Sequence, residues 1–144
     1  MEKERIEQQA FDYFQSGFQC AESVSKTIVE AFGKDGSEGI PRVATAFGGG
    51  IGGSKADTCG ALSGGVIALG CLYGRMKPGE DKQLIYELAA EFRTRFVEAF
   101  GSSHCQTILN GFGSQENMMQ CKKLTARAAG ILADILAETE SGAA

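Results

Sequence analysis

The sequence predicts an all-α protein, a compact bundle of about six or seven helices around an apolar, glycine-rich central helix. Apolar residues recur at the spacing of an amphipathic helix through most of the 144-residue chain. The alternation of apolar and polar residues that a half-buried sheet needs is absent. Residues 58–74 carry no charge and five glycines, and they reach only the lower end of the membrane-spanning range. We therefore expect a helix buried inside the bundle.

Three short helices are expected in the N-terminal third of the chain. The first ends at Ser16 and Gly17, and the second ends in the glycine-containing segment 33–36. Pro41 opens the third helix at a first helical position, and the glycines between residues 48 and 53 break it. The residues that mark the buried faces are Ile6, Ala10, Tyr13 and Phe14 in the first helix, Val24, Ile28 and Phe32 in the second, and Val43, Ala44 and Phe47 in the third.

Four more helices are expected in the rest of the chain. Asp57 or Thr58 provides the N-cap of the fourth helix, which runs to about Tyr73. An S-x-x-Q capping box at residues 103–106 starts the sixth helix, and Ser114 caps the seventh. The core faces of the fifth and seventh helices consist of Leu84, Leu88, Phe92 and Phe96, and of Leu124, Ala128, Ile131 and Ile135.

Charge and composition limit the domain count and the partners. Fourteen basic and eighteen acidic residues give a net charge of −4, and no dense Lys/Arg cluster is present for nucleic acid or anionic lipid. We expect a single domain over residues 1–144 that binds neither nucleic acid nor membrane. The N-terminal segment mixes charged and apolar residues, unlike a secretory signal, so a cytoplasmic location is expected.

Five cysteines remain to be explained. No CxxC occurs, and the gaps are longer than those of zinc ribbons or ferredoxins, so the spacing alone names no site. Cys20, Cys59 and Cys105 fall at predicted helix starts, where unpaired N–H groups and the helix dipole stabilise a thiolate. Cys121 falls about two turns into the seventh helix. Cys71 lies mid-helix among apolar residues, which predicts a place in the core.

Two of these positions lead to more specific expectations. Cys59 is expected to be the most acidic thiol because it lies in a first turn beside glycine, although the Asp57 carboxylate competes for the same N–H groups. His104 precedes Cys105, but neighbours along a helix do not face each other. The sequence therefore favours a capping or solvated histidine over a Cys/His catalytic pair, and a role as a metal ligand stays open.

The order of the cysteines resembles that of a known family. Cys20 is followed by alanine, the glycine-rich AFGGG precedes TCGALSG around Cys59, SSHC ends at Cys105, and a last cysteine lies in the final helix. This pattern spans about residues 18–136 and is similar to the redox-active C_GCAxxG_C_C family. The CGAxxG element of that family reads here as residues 59–64.

The resemblance implies a small helical protein that is redox-active and holds a prosthetic group such as an iron–sulfur cluster. A similar domain occurs in split-Soret cytochromes c, which are haem proteins, but the chain has no CxxCH motif, so covalent haem is not expected. The positions that match are Cys20, Cys59, Cys105 and Cys121 as redox-active or metal-binding residues, with Gly60 and Gly64 as the small residues of the cofactor-binding element; Cys71 is extra.

Three functions stay open at this point. In the first, the four thiolates bind an iron–sulfur cluster or another metal centre for electron transfer, as an oxidoreductase component with a redox partner protein. In the second, a cofactor-free protein cycles between dithiol and disulfide, with Cys59 as the attacking thiolate. The third is a non-catalytic helical dimerisation module with structural cysteines. The apolar fourth helix favours a homodimer.

Overall fold

The fold consists of helices and the segments that connect them. The computed structural model describes residues 2–33 and 39–142. Within these ranges the chain forms seven α-helices, one 3₁₀ helix and no β-strand, which confirms the all-α prediction. The residues after Gly33 that were expected to close the second helix lie outside the described ranges. The helices are α1 (Lys3–Gln15), α2 (Cys20–Phe32), α3 (Ile40–Ala44), the 3₁₀ helix (Thr45–Phe47), α4 (Gly60–Tyr73), α5 (Gln83–Phe100), α6 (Cys105–Phe112) and α7 (Met119–Gly142).

The helix α4 packs with one face against the rest of the bundle. It contacts α2, α3, α5 and α7, and α1 packs against α2 and α7. Apolar side chains from all seven α-helices of the described residues form one core, which provides the main stabilisation of the fold. The largest fully buried apolar side chains are Ile6, Val24, Ile28, Leu69, Phe92, Phe96, Leu132 and Leu136.

Glycines on α4 bring this helix very close to its neighbours. A Cβ at Gly64 would lie 2.8 Å from the Cα of Ala21 on α2. A Cβ at Gly65 would overlap the ring of Phe92 on α5. Real Cβ atoms do not approach other atoms so closely, so both positions require glycine for packing and not for a special backbone conformation.

The opposite face of α4 is not covered by the described part of the chain. Val66 is 43% exposed on this face, and Cys71 is also exposed. The prediction that Cys71 lies in the core is therefore wrong. Because α4 is apolar all round, its sequence does not specify which face is buried. The close approach to α2 and α5 decides it.

Two helices begin later than predicted because a short pairing of extended backbone precedes them. Thr58 and His104 form an isolated antiparallel bridge. The N–H of Cys59 donates to the carbonyl of Ser103 at 2.8 Å, and the N–H of Cys105 donates to the carbonyl of Asp57 at 2.9 Å. The N-caps are consequently Cys59 for α4 and His104 for α6, and the predicted caps at Asp57, Thr58 and Ser103 are wrong.

The last helix also begins later than predicted, at Met119 instead of directly after Ser114. Asn117 and Met118 have φ angles of 51° and 56°, in the left-handed region that a right-handed helix excludes. The helix can therefore start only after them. As a result Cys121 is the third residue of α7 and lies in its first turn, and the prediction of two preceding turns is wrong.

Candidate functional site

Four of the five cysteines lie at the starts of four different helices. Cys20 is the first residue of α2, Cys59 is the N-cap of α4, and Cys105 is the first residue of α6. Cys121 lies in the first turn of α7. The positive end of a helix dipole therefore lies at every one of these sulfurs.

The same four thiols line one internal cavity of about 70 Å³. A single water molecule needs about 10–15 Å³ on the same measure, so the cavity has room for a group of several atoms. Cys71 is not among the lining residues. No disulfide joins any of the five cysteines. The rest of the lining is mainly apolar and includes Phe14, Ile108, Leu109, Phe112 and Leu124.

The glycine-rich segment supplies one wall of this cavity. Five successive residues, 49–53, have φ angles between 59° and 72°, and four of them are glycine. Ile51 is the exception, and a β-branched residue in this region is strained. A Cβ at Gly50 would lie 2.7 Å from the Cβ of Cys105. The glycines thus allow a left-handed turn that passes directly over a cavity thiol.

Backbone N–H groups are directed at two of the sulfurs. Those of Gly49 and Ala21 hydrogen-bond to the Cys20 thiol, and those of Ala61 and Leu62 hydrogen-bond to the Cys59 thiol. Each of these hydrogen bonds lowers the thiol pKa because it stabilises negative charge on sulfur. Gly60 keeps Cys20 close to α4, since a Cβ at Gly60 would overlap the Cys20 sulfur.

Burial nevertheless dominates the acidity of the cavity thiols. Desolvation is the main cause that raises the pKa of Cys59 to about 12, and the neighbouring thiols of Cys20 and Cys105 contribute to the same increase. Burial also raises the pKa of Cys20 and of Cys105. The prediction that Cys59 is the most acidic thiol is wrong, because the N–H donors of the first turn do not offset the loss of water. These three thiols are therefore protonated near neutral pH in the metal-free protein.

Gln115 holds Cys121 with both ends of its side-chain amide. Its Oε1 accepts the N–H of Cys121 at 3.1 Å, and its Nε2 donates to the Cys121 sulfur at 3.2 Å. The first contact caps α7, and the second places a hydrogen-bond donor on the sulfur. Sequence analysis missed Gln115, because it lies six residues before Cys121 and before a non-helical turn, so no capping motif marks it.

His104 fastens the glycine-rich segment to α6. Its Nε2 lies 2.9 Å from the carbonyl oxygen of Ala56, and its Nδ1 accepts the N–H of Thr107 at 3.3 Å. One neutral tautomer, protonated at Nε2, satisfies both contacts. The histidine is the N-cap of α6, which confirms the capping interpretation, and it does not line the thiol cavity.

No ready-made site for a single metal ion is found in residues 2–33 and 39–142. Within these ranges, no three or more His, Cys, Asp and Glu side chains are grouped so that they could hold a metal ion. The structure thus brings the four predicted thiols to one cavity. That they bind a metal or a cofactor stays a prediction. None of the helices in the described residues has the length and apolar character needed to cross a membrane.

In this helical domain, cysteines at the starts of four helices line one apolar cavity. These features define a small helical protein with a cysteine-centred site. The model of the family described as "Putative redox-active protein (C_GCAxxG_C_C)" matches residues 18–135. The chain belongs to this redox-active family. No curated protein and no solved structure matches it.

Proposed function

We propose that the protein is an electron-transfer protein that binds an iron–sulfur cluster through Cys20, Cys59, Cys105 and Cys121. The observation that carries the proposal is the shared cavity, which all four thiols line and which Cys71 does not. Four soft thiolates are the usual protein ligands of iron–sulfur clusters. Such a cluster would supply one-electron redox chemistry.

The arrangement of the sulfurs favours a cluster over a single ion. A single zinc or iron ion needs four sulfurs at about 2.3 Å from one point. The thiols instead surround a space of about 70 Å³, and the described residues contain no side-chain group suited to one ion. A polynuclear centre is bound by sulfurs at its separate corners, so it suits thiols that are spread around a cavity.

Residues of this chain would perform three tasks at such a centre. The cysteines would hold it from four helices, so that its binding would tie α2, α4, α6 and α7 together. The N–H groups of Gly49 and Ala61 would stabilise negative charge on the sulfurs. Apolar side chains such as Phe14 and Leu124 would exclude water from the cavity.

The decisive experiment is iron, sulfide and zinc analysis of protein purified without oxygen. We expect iron and sulfide in the wild-type chain and in Cys71→Ser, and their loss in Cys59→Ser. Cys71→Ser is the matched control, because it removes a thiol from the other end of the same helix. Iron and sulfide that are absent from the wild type after anaerobic reconstitution would contradict the proposal. Equal iron in both variants would contradict it as well.

A thiol–disulfide cycle is the second candidate, and one observation favours it. Cys59 is close enough to both Cys20 and Cys105 for their charges to raise its pKa. In exchange with a small disulfide, one protein pair would form an S–S bond while the S–S bond of the small disulfide breaks, and the two electrons and two protons would pass to it to give two small thiols. Counting free thiols after mild oxidation tests this reaction. Loss of two thiols in metal-free wild type but not in Cys59→Ser would support it.

A homodimer also remains a proposal. The exposed face of α4, with Val66 and Cys71, is uncharged and would be covered by a second copy. Light scattering across micromolar concentrations checks the assembly state. A stable monomer throughout that range would exclude the dimer, and it would leave the cysteine site unaffected because the four cavity thiols come from one chain.

A further inference from the structure

A second, open cavity lies beside the thiol cavity. It has a volume of about 480 Å³, within the range of small-molecule sites. We call it the vestibule; its lining residues are Phe14, Gln15, Gln19, Asn117, Met118, Met119 and Lys122. Three of them, Phe14, Gln19 and Met118, also line the thiol cavity. A molecule in the vestibule would therefore lie next to the sulfurs.

Lys122 is the unusual member of this lining. Its residue is only 9% exposed, and its ammonium lies 6.0 Å from the centre of the Phe14 ring, at the outer limit of a cation–π contact. Lys3, Lys26 and Arg95 form ion pairs with carboxylates. Across the described part of the chain, Lys122 has no carboxylate within 4.0 Å. The aliphatic stem of Lys122 is thus buried in the wall of the vestibule, while its ammonium is not among the buried polar atoms and has no counter-ion in the described residues.

The other residues of the vestibule do not neutralise this charge. No Asp or Glu is among the described residues that line it. Gln15, Gln19 and Asn117 are amides, which carry N–H donors suited to an anion. Met119 is the first residue of α7, so the positive end of that helix dipole adds to the positive electrostatic potential that Lys122 creates in the vestibule. One lysine supplies one full positive charge, which a singly charged anion balances.

We propose that the vestibule binds the carboxylate group of a small molecule and holds that molecule against the cavity thiols. The anion would be the missing counter-ion of Lys122, and the amides would hydrogen-bond to its oxygens. That this molecule is the redox substrate or electron donor rests on the proposed function. The selectivity for an anion does not, since it depends only on residues of the vestibule.

Two alkylating reagents of the same chemistry test the proposal on metal-free full-length protein. With both iodoacetate and iodoacetamide, the thiolate sulfur forms a bond to carbon as the carbon–iodine bond breaks and iodide leaves. Only iodoacetate carries a carboxylate. The measurement is the ratio of the two rates at Cys121, read by peptide mass spectrometry. This ratio cancels differences in thiolate fraction, and exposed Cys71 in the same chain gives the reference ratio.

We expect the ratio of the iodoacetate rate to the iodoacetamide rate, which we call the iodoacetate preference, to be higher at Cys121 than at Cys71. Lys122→Met should lower the preference at Cys121 roughly 5- to 10-fold. Lys123→Met is the matched control. Lys123 is the next residue on α7, is exposed, and lines a different groove with Glu4 and Glu7. This control should change the ratio by less than about twofold, because the Lys123 charge is exposed to solvent outside the vestibule and is screened.

Lys122→Arg tests whether charge or packing is responsible, because it keeps the cation and should keep the preference. An unchanged iodoacetamide rate at Cys71 and Cys121 shows that a variant is folded. An equal preference at Cys121 and Cys71 in the wild type overturns the proposal. An equal loss in Lys122→Met and Lys123→Met overturns it too. None of these outcomes depends on a bound cluster, so the result is independent of the iron analysis.

Discussion

The two ends of α4 carry one cysteine each, and they differ in almost every physical respect. Cys59 at the start is 8% exposed and lines a cavity with three other thiols. Cys71 near the end is exposed and is not part of that cavity. Both have apolar and small residues beside them in the sequence. Composition around a cysteine therefore does not decide its environment.

The glycines of α4 show the same contrast. Gly60 and Gly64 have no space for a Cβ, because Cys20 and Ala21 lie against them. Gly70 has no neighbouring atom within 4 Å of the position that its Cβ would occupy. Glycine at the first end allows two helix starts to meet, and glycine at the second end has no such role. Close approach is thus the property that distinguishes the cavity end of the helix.

The largest expected difference between the two ends is in thiol reactivity. In metal-free protein at pH 8, iodoacetamide should modify Cys71 roughly 100-fold or more faster than Cys59, because Cys59 is buried and its pKa is raised to about 12. The rate at Cys59 should still increase with pH above 10, since its thiolate fraction grows until the pH reaches the pKa. Peptide mass spectrometry over pH 7–11 measures both rates. Equal rates, or a Cys59 rate that levels off below pH 9, would contradict the burial of this thiol.

A matched pair of alanine substitutions tests the packing contrast. Gly64→Ala should destabilise the protein by about 1–3 kcal/mol, since the new methyl group meets the backbone of Ala21. Gly70→Ala should be neutral or stabilise it by up to about 1 kcal/mol, because alanine favours the helix and meets no neighbour. Urea unfolding of both variants and the wild type gives the two values. The same sign of change in both would disprove the distinction.

His104 should stabilise only the part of the molecule around the thiol cavity. His104→Ala removes the cap of α6 and the contact to Ala56, which should cost about 1 kcal/mol of unfolding free energy. His104→Asn should recover part of this, since asparagine is a good N-cap but cannot reach Ala56. Hydrogen exchange should show faster exchange at the N–H of Thr107 in His104→Ala and little change in α5. A change spread evenly over all helices would argue against a local role.

The smallest expected effect is at Gln115, and it separates two roles of one side chain. Gln115→Glu keeps an oxygen for the N–H of Cys121 but removes the donor to its sulfur, so stability should change by less than about 0.5 kcal/mol. Gln115→Leu removes both contacts and should cost about 1 kcal/mol through loss of the cap. Denaturant unfolding measures these values. If both substitutions lower the free energy of unfolding equally, the hydrogen bond from the N–H of Cys121 does not stabilise α7.

The sequence by itself determined the helical class, most of the buried residues of α1, α2, α5 and α7, and the placement of Cys20 and Cys105 at helix starts. These properties follow from apolar periodicity, glycine breaks and local capping, which act over a few residues. The order of the cysteines also identified the family. Each of these features depends on interactions between residues that are close along the chain. The predicted buried positions Val43, Phe47 and Leu84 are wrong, because these side chains are exposed.

Only the tertiary structure decided which face of α4 is buried, where α4 and α7 begin, and how acidic Cys59 is. The bridge of Thr58 with His104 moves the start of α4, and no local signal encodes a pairing of residues that far apart. The pKa of Cys59 depends on the water that the assembled helices exclude, so burial reversed an expectation based on the helix dipole alone. Lys122 likewise became visible only once α7 was placed beside α1, because the vestibule needs residues of both helices. Gln115 became visible only with the left-handed turn at Asn117 and Met118, which brings its amide back to Cys121.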